Sequence, residues 1–413
     1  MSYTGKKVAV IGLGVNNTPL IRFLVEQGAD VTVLDKKTRD ELQEYLDRLA
    51  GLPVAYHLGP DYLEYLGGQE VIFLSPGVPK NLPALQEAAA GGTVFSSELQ
   101  VFFAENRRRS RSPVLGVTGS CGKTTTTTLI GLMLEKEKPV KVGGNIGRPP
   151  LSFLPELAPE TWVILELSSF QLQDLGYSPQ IAVLLNITPN HLDVHSSLTE
   201  YVQAKEEIIK NQSSNDIAIF NWDNPVTRRL AAKAKGKVYF FSRCASRGAP
   251  GCTQPETGAF VKNGDIILRL DGKHEEYICP AAERRLPGDH NLENILAAAL
   301  AARLAGASPA AIAGVIREFK GVEHRLEFLR ELDGVAYYND SKATTPEETI
   351  AGLRALPAPV VLIAGGYDKK LPFTELAKVT AERCRVAVLI GATAGKIRKA
   401  LEEAEGKDRL LSE

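Results

Sequence analysis

A chain of 413 residues is too long for one typical domain and long enough for two or three, each with its own core. Charged residues make up 23% of it and the net charge is -1, which leaves no global electrostatic reason to expect nucleic acid or an anionic membrane as a partner. No apolar run reaches the length of a bilayer span, and the N-terminus turns glycine-rich too early for a signal peptide. The five cysteines (Cys121, Cys244, Cys252, Cys279, Cys384) lack C-x-x-C spacing, so reduced thiols and a soluble cytoplasmic enzyme are expected.

The first segment opens with the apolar run Val8 to Ile11, a glycine-rich turn "GLGVNN", and a helical pattern "TPLIRFLVEQG" closed by Gly28. Runs "DVTVLD" and "EVIFLSPGVP" follow, and such runs alternating with helices predict parallel βαβ units. Their loops place Gly12, Gly14, Asp35 and Gly77 at one edge of a sheet. Gly12 and Gly14 fit the start of G-x-G-x-x-G, but Asn17 stands at the third glycine, and nothing downstream supplies hydride chemistry. The basic stretch "ENRRRSRSP" reads as a solvated linker rather than a nucleic-acid patch.

Next comes strand "VLGV", then "TGSCGKTTTTT", then a helix. The common phosphate loop G-x-x-x-x-G-K-[ST] wants a glycine at Val117, whereas Gly116 sits one step early. The physics survives the shift. Glycines at 116, 119 and 122 let backbone N–H groups turn inward, the following helix offers its N-terminus, Lys123 reaches the terminal phosphates and Thr124 offers a hydroxyl to magnesium. Strands "TWVILEL", "IAVLLNI" and "DIAIF" follow, then peripheral hairpins across Cys244 to Ile278 and a long alanine-rich helix in "NLENILAAALAARLAG". Glu166 ends one strand, and His191 and His195 follow the next, so a carboxylate and an imidazole could organise magnesium with Thr124. An ordinary polar histidine is the competing reading, since magnesium prefers oxygen ligands. From about Gly321, strands "VAYYND", "PVVLIAGG" and "RVAVLIG" again suggest parallel α/β structure.

In order along nearly the whole chain, "TGSCGKTT", "ELSSFQL", "LNITPNHLD", "YVQAKEEI", "GDHNLENILAA", "VEHRLEF", "NDSKATTPEET" and "GGYDKK" resemble the Mur ligases. The family's loop is of the T-G-x-x-G-K-[ST]-T type, which accounts for the displaced first glycine. The resemblance implies three α/β domains: a Rossmann-like UDP-substrate domain over 1–97, a P-loop central ATPase domain with a mostly parallel sheet over 98–320, and a Rossmann-like C-terminal ligase domain over 321–413. It implies ATP-dependent joining of D-glutamate to UDP-N-acetylmuramoyl-L-alanine through an acyl phosphate, in a monomer engaged in peptidoglycan precursor synthesis.

Carried over by motif, Gly119, Ser120, Cys121, Gly122, Lys123, Thr124 and Thr125 of the loop bind ATP, Lys123 and Thr124 at its phosphates, while Asn291, Asn294, Arg325 and Asp340 are expected to meet the nucleotide across the domain interface. Thr124 and Glu166 bind one Mg2+. His191 and Lys205, the latter as a carbamate, hold a second. Val15, Asn16, Asp35, Lys36 and Gly77 line the uridine pocket, with Asn145 near the sugar-phosphate part. Lys342, Thr344 and Lys369 face phosphates and D-glutamate.

Two departures set further expectations. The chain ends at "DRLLSE", before a family segment that grips the carboxylate of D-glutamate, so that substrate is expected to be handled poorly. Cys121 stands where the family more often has asparagine. Beside Lys123 and inward N–H groups its thiol is expected to have a lowered pKa and to be the most reactive of the five. A folylpolyglutamate synthase-like ligase and a nucleotide-binding protein with impaired catalysis remain as alternatives.

Overall fold

The computed structural model describes residues 2–189, 197–243 and 254–404. The chain divides into two units, one formed by Met1–Gly116 with Pro139–Pro179 and the other by Val117–Lys138 with Gln180–Glu413.

In the first unit, five parallel strands lie in the order Val54–Leu58, Asp30–Asp35, Lys7–Ile11, Val71–Leu74, Val94–Ser96. The central strand is buried from Val8 onward, because both its faces are covered. Ala9, Ile11, Leu34, Ile72, Leu74 and Leu85 form one core cluster. Asn17, at the place of the third glycine, opens the helix Asn17–Glu26 and turns its side chain inward, donating Nδ2 to the Gly12 carbonyl at 2.7 Å. The amide thus closes the turn by a side-chain hydrogen bond.

The linker expected at "ENRRRSRSP" is instead the end of a helix, Glu98–Arg108, capped by Ser97 Oγ, which accepts from Gln100 N at 3.3 Å. Glu105 is buried and pairs with Arg108 and Arg109, and Asn106 Nδ2 donates to Ser112 O at 2.9 Å. The basic run therefore neutralises a buried carboxylate at a helix C-terminus, a place that favours cations. The same unit carries the parallel pair Val140–Gly144 and Trp162–Glu166.

In the second unit the strands Ile181–Leu184, Ile217–Asn221, Lys237–Ser242 and Gly258–Lys262 run parallel, and Asp265–Arg269 and Glu275–Pro280 continue as an antiparallel meander. The meander is the hairpin region expected from the turn-rich sequence, seen in the described residues 254–280. Helix Lys123–Glu135 packs against the alanine-rich helix Asp289–Leu304, whose small side chains allow close approach. Toward the C-terminus, Val360–Gly365 and Cys384–Ile390 pair in parallel, as expected. Val335–Asn339 does not join a parallel pair; it forms an antiparallel hairpin with Glu327–Leu332. The signal was the Asp333-Gly334 dipeptide, where both residues have positive φ, 51° and 75°. No helix among the described residues is long and apolar enough to cross a membrane.

Glu98 is buried at the first position of its helix and accepts Leu151 N at 2.6 Å, and burial pushes its carboxyl up to about 8. An acid whose folded pKa is raised supports the fold below its unfolded pKa of 4.5 and loses that contribution as pH rises through about 8. We expect Glu98→Gln, which keeps an acceptor, to gain on the native chain by roughly 2–4 °C in Tm between pH 5 and pH 9. A pH-independent difference between the two proteins contradicts this.

Candidate active site

The strand Val114–Thr118 leads into the loop Gly119–Gly122 and the helix Lys123–Glu135. Residues 185–188, following the strand Ile181–Leu184, shape one side of this loop. A Cβ on Gly119 would lie 2.9 Å from Leu185 Cβ, so the two backbones touch. Asn186 then holds the loop with main chain and side chain: its carbonyl accepts Ser120 N at 2.8 Å and its Oδ1 accepts Cys121 N at 3.0 Å. On the other side stands Asn294. A Cβ on Gly122, which has φ of +83°, would lie 2.2 Å from Asn294 Oδ1. Asn294 Nδ2 donates to Asn291 Oδ1 at 3.2 Å, and Asn291 Nδ2 to Pro287 O at 2.7 Å.

Two lysines converge on the loop. Lys123 Nζ donates to the Gly119 and Ser120 carbonyls, both at 2.9 Å. Lys205, only 1% exposed, donates to Gly119 O at 3.0 Å from the helix Leu198–Lys210. Ser120 Oγ donates to Thr188 O at 2.9 Å, accepts Thr188 N at 3.0 Å, and lies 3.1 Å from the Tyr201 hydroxyl. Thr124 is buried at the first turn of its helix.

Beside the loop lies a cavity of about 320 Å3 lined by Cys121, Gly122, Thr125, Asn291, Asn294, Arg325 and Asp340 among others. The size and the few convergent polar groups suit a small-molecule site. Seven residues that sequence motifs assigned to nucleotide contact thus share one cavity. Arg325 enters on one wall, its Nη1 3.4 Å from Glu348 Oε1 and its Nε buried without a hydrogen-bond partner among the described residues. Burial pushes the Asp340 carboxyl up to about 6, against the Leu326 N–H it accepts and Arg325, with Glu348 adding to the rise. Asn186, Thr188, His290, Glu293 and Glu348 also line the cavity and were not singled out from sequence. Asn186 and Thr188 lay inside the quoted "LNITPNHLD", and the asparagine after a buried strand was the available signal.

The remaining candidates distribute as follows. Lys369 Nζ donates to Thr344 Oγ1 at 2.9 Å, so these two stand together, and Lys342 is exposed. In the first unit, Asn145 Nδ2 donates to the buried Glu166 carboxylate at 2.8 Å. Asp35 accepts Leu13 N at 2.6 Å and Lys37 N at 2.9 Å, so it organises the two loops that carry Val15, Asn16 and Lys36. Val15, Lys36 and Gly77 are exposed at the same sheet edge. His191 and His195 lie outside the described residues, as do Cys244 and Cys252. Among the described residues no group of three or more His, Cys, Asp and Glu gathers as a metal cluster.

The expectation for Cys121 is reversed. Burial pushes its thiol up to about 12, and Glu348 adds to this, while Lys123 and Arg325 oppose it insufficiently. Desolvation of the thiolate outweighs the helix terminus.

The family models agree with this geometry. The "Mur ligase MurD-like, N-terminal domain" matches residues 6–96, the "Mur ligase middle domain" 117–302 and the "Mur ligase, glutamate ligase domain" 324–411. The chain belongs to the Mur ligase family. It is 46% identical over 397 residues to the "UDP-N-acetylmuramoylalanine--D-glutamate ligase" of Symbiobacterium thermophilum, covering 96% of this chain and 85% of that one. It is also 46% identical to the protein of the same name from Acetivibrio thermocellus, covering 96% and 83%. Among solved structures, UDP-N-acetylmuramate-alanine ligase MurC of Thermotoga maritima matches with a TM-score of 0.61 at 19% identity, over 98% of this chain and 90% of that one. MurF ligase of Thermotoga maritima in complex with ADP matches with a TM-score of 0.54 at 19% identity, over 98% and 90%. These two likenesses establish the three-part α/β Mur ligase fold.

Two outcomes follow from the loop. Gly122→Ala lowers stability by about 1–3 kcal/mol in urea unfolding, through left-handed strain and the contact with Asn294. Gly314→Ala, inside a helix with open space around it, is neutral or slightly stabilising; equal effects contradict the account. Iodoacetamide labels Cys121 at neutral pH at least ~100-fold more slowly in the native chain than in the unfolded one, because an ordinary thiol has a pKa of about 8.5. The native rate rises with pH up to the limit of native stability, and a plateau near pH 8 contradicts the raised pKa.

Proposed function

We propose that this chain is an ATP-dependent amide ligase that adds D-glutamate to UDP-N-acetylmuramoyl-L-alanine in cytoplasmic peptidoglycan precursor synthesis, acting as a monomer. The observation that carries the reading is the cavity in which the loop residues Cys121, Gly122 and Thr125 meet Asn291, Asn294, Arg325 and Asp340. The shared name of relatives 46% identical over most of the chain supports the choice of substrates. In this reading 1–97 takes the UDP substrate, 98–320 takes ATP and 321–413 completes the ligase site.

A carboxylate is a poor acyl donor at neutral pH. One oxygen of the substrate's alanyl carboxylate attacks the γ-phosphorus of ATP, ADP leaves, and an acyl phosphate forms. The free amine of D-glutamate then attacks the acyl carbon, giving a tetrahedral intermediate that loses phosphate as the amide forms and the amine proton departs. Positioning and charge neutralisation carry such chemistry, without a protein nucleophile. Lys123, already within reach of the loop, exchanges its carbonyl partners for phosphate oxygens. Gly119, Gly122 and Thr125 present backbone N–H groups, Ser120 and Cys121 shape the loop between them with their own N–H groups held by Asn186, and Arg325 offers its unpaired Nε. Asp340, Asn291 and Asn294 receive the nucleoside part. Val15, Asn16, Asp35, Lys36, Gly77 and Asn145 hold the UDP substrate, and Lys342, Thr344 and Lys369 face D-glutamate and the phosphates.

Thr124 and Glu166, which belong to different units, are each buried and each carries a hard oxygen atom of the kind magnesium prefers. By the family resemblance Thr124 and Glu166 would hold one ion, and His191 with a carbamate on Lys205 would hold a second. When bound, these ions neutralise phosphate charge. Burial of Lys205 fits the carbamate reading, since an ammonium beside two metals is repelled and its conversion to an anion reverses the sign.

The test measures ADP, phosphate and amide product with each substrate omitted in turn. Turnover that needs ATP, UDP-N-acetylmuramoyl-L-alanine and D-glutamate together supports the reading, and phosphate release independent of the UDP substrate overturns it. Lys123→Ala lowers kcat by at least ~100-fold. Lys205→Ala loses activity that short carboxylates partly restore; full activity without them contradicts the carbamate.

A further inference from the structure

Resting on that reading, we propose that Tyr201 is a positioning residue for MgATP, acting through Ser120 of the phosphate loop. Tyr201 and Lys205 stand four apart on the helix Leu198–Lys210 and therefore on one face. That face is turned to the loop, since Lys205 reaches Gly119 O at 3.0 Å and the Tyr201 hydroxyl reaches Ser120 Oγ at 3.1 Å. One helix thus holds two consecutive loop residues.

The direction of the Tyr201 bond follows from counting. A serine hydroxyl has one proton and two lone pairs. The Ser120 proton goes to Thr188 O, and one lone pair receives Thr188 N–H. Only a lone pair remains toward Tyr201, so Tyr201 donates. With that bond Ser120 Oγ is fully satisfied, and its three bonds hold the side chain in one rotamer. Fixing Ser120 fixes the adjoining N–H of Cys121, which the Asn186 side chain accepts at 3.0 Å. The Lys205 side chain packs over the Tyr201 ring, its Nζ 4.6 Å from the ring centroid, and so confines the ring. The phenol is 1% exposed, so its hydroxyl is placed by packing rather than by water.

Losing one such bond disorders the loop that receives phosphates and leaves the reacting groups themselves in place. Tyr201→Phe is therefore expected to raise KM for MgATP by about three- to tenfold, the range of one net hydrogen bond, with a smaller fall in kcat and unchanged KM for D-glutamate. Ser120→Ala is expected to act through the same bond, so that Tyr201→Phe adds less than twofold to KM for MgATP in a Ser120→Ala background. Thermal unfolding of each variant, without ligand, controls for loss of fold. An unchanged KM for MgATP in Tyr201→Phe, or multiplicative effects in the double variant, overturns the proposal. So does an equal loss in kcat with every KM retained, the pattern of partial misfolding. A native chain that fails to turn over with all three substrates fails the parent reading instead, and equilibrium binding of MgATP to the native and Tyr201→Phe chains then decides this inference by the same fold-change.

Discussion

The second unit depends on one constraint: a four-residue loop, Gly119–Gly122, gripped between two asparagines. Asn186 closes on it from the strand Ile181–Leu184, taking Ser120 N and Cys121 N, and Asn294 presses on it from the helix Asp289–Leu304. The loop leaves the regular ladder, so a neighbouring segment takes its backbone donors, the Asn186 carbonyl holding Ser120 N and the Asn186 side chain holding Cys121 N. This explains why glycine is required at both 119 and 122: at each, the partner approaches within the space of a methyl group.

The grip also sets the electrostatics. Asn294 and Asn291 are neutral, and Lys123 brings positive charge to the loop. Two carboxyls that line the cavity, Asp340 and Glu293, are both shifted toward the protonated form by burial. A cavity lined by Arg243 and Arg325 and by carboxyls that resist ionisation suits a ligand that carries negative charge. The same desolvation acts on Cys121, and there it removes the reactivity that charge proximity alone suggests.

Much of this was legible in the sequence. The strand, glycines, Gly-Lys-Thr and helix lie in the order that a phosphate loop needs, and the buried runs from Val8, Val71, Trp162, Ile181 and Ile217 are strands. Elements with less apolar sequence, such as Val54–Leu58, Val94–Ser96 and Glu327–Leu332, were missed because their register depends on neighbours. Glu105 looked like part of a charged linker because its partners, Arg108 and Arg109, are themselves charged; only burial reveals the pairing. Asn186 and Tyr201 act on a loop far away in sequence, and no spacing rule reaches them. The thiol of Cys121 was misjudged for a related reason, since exposure is a tertiary property.

The central claim is that the loop and its cavity activate a carboxylate by phosphorylation. Its most direct test uses UDP-N-acetylmuramoyl-L-alanine labelled with 18O in the alanyl carboxylate, turned over with ATP and D-glutamate, with the released phosphate read by mass spectrometry. Transfer of one 18O from the carboxylate into each phosphate is the predicted result. Amide product accompanied by unlabelled phosphate would contradict the account.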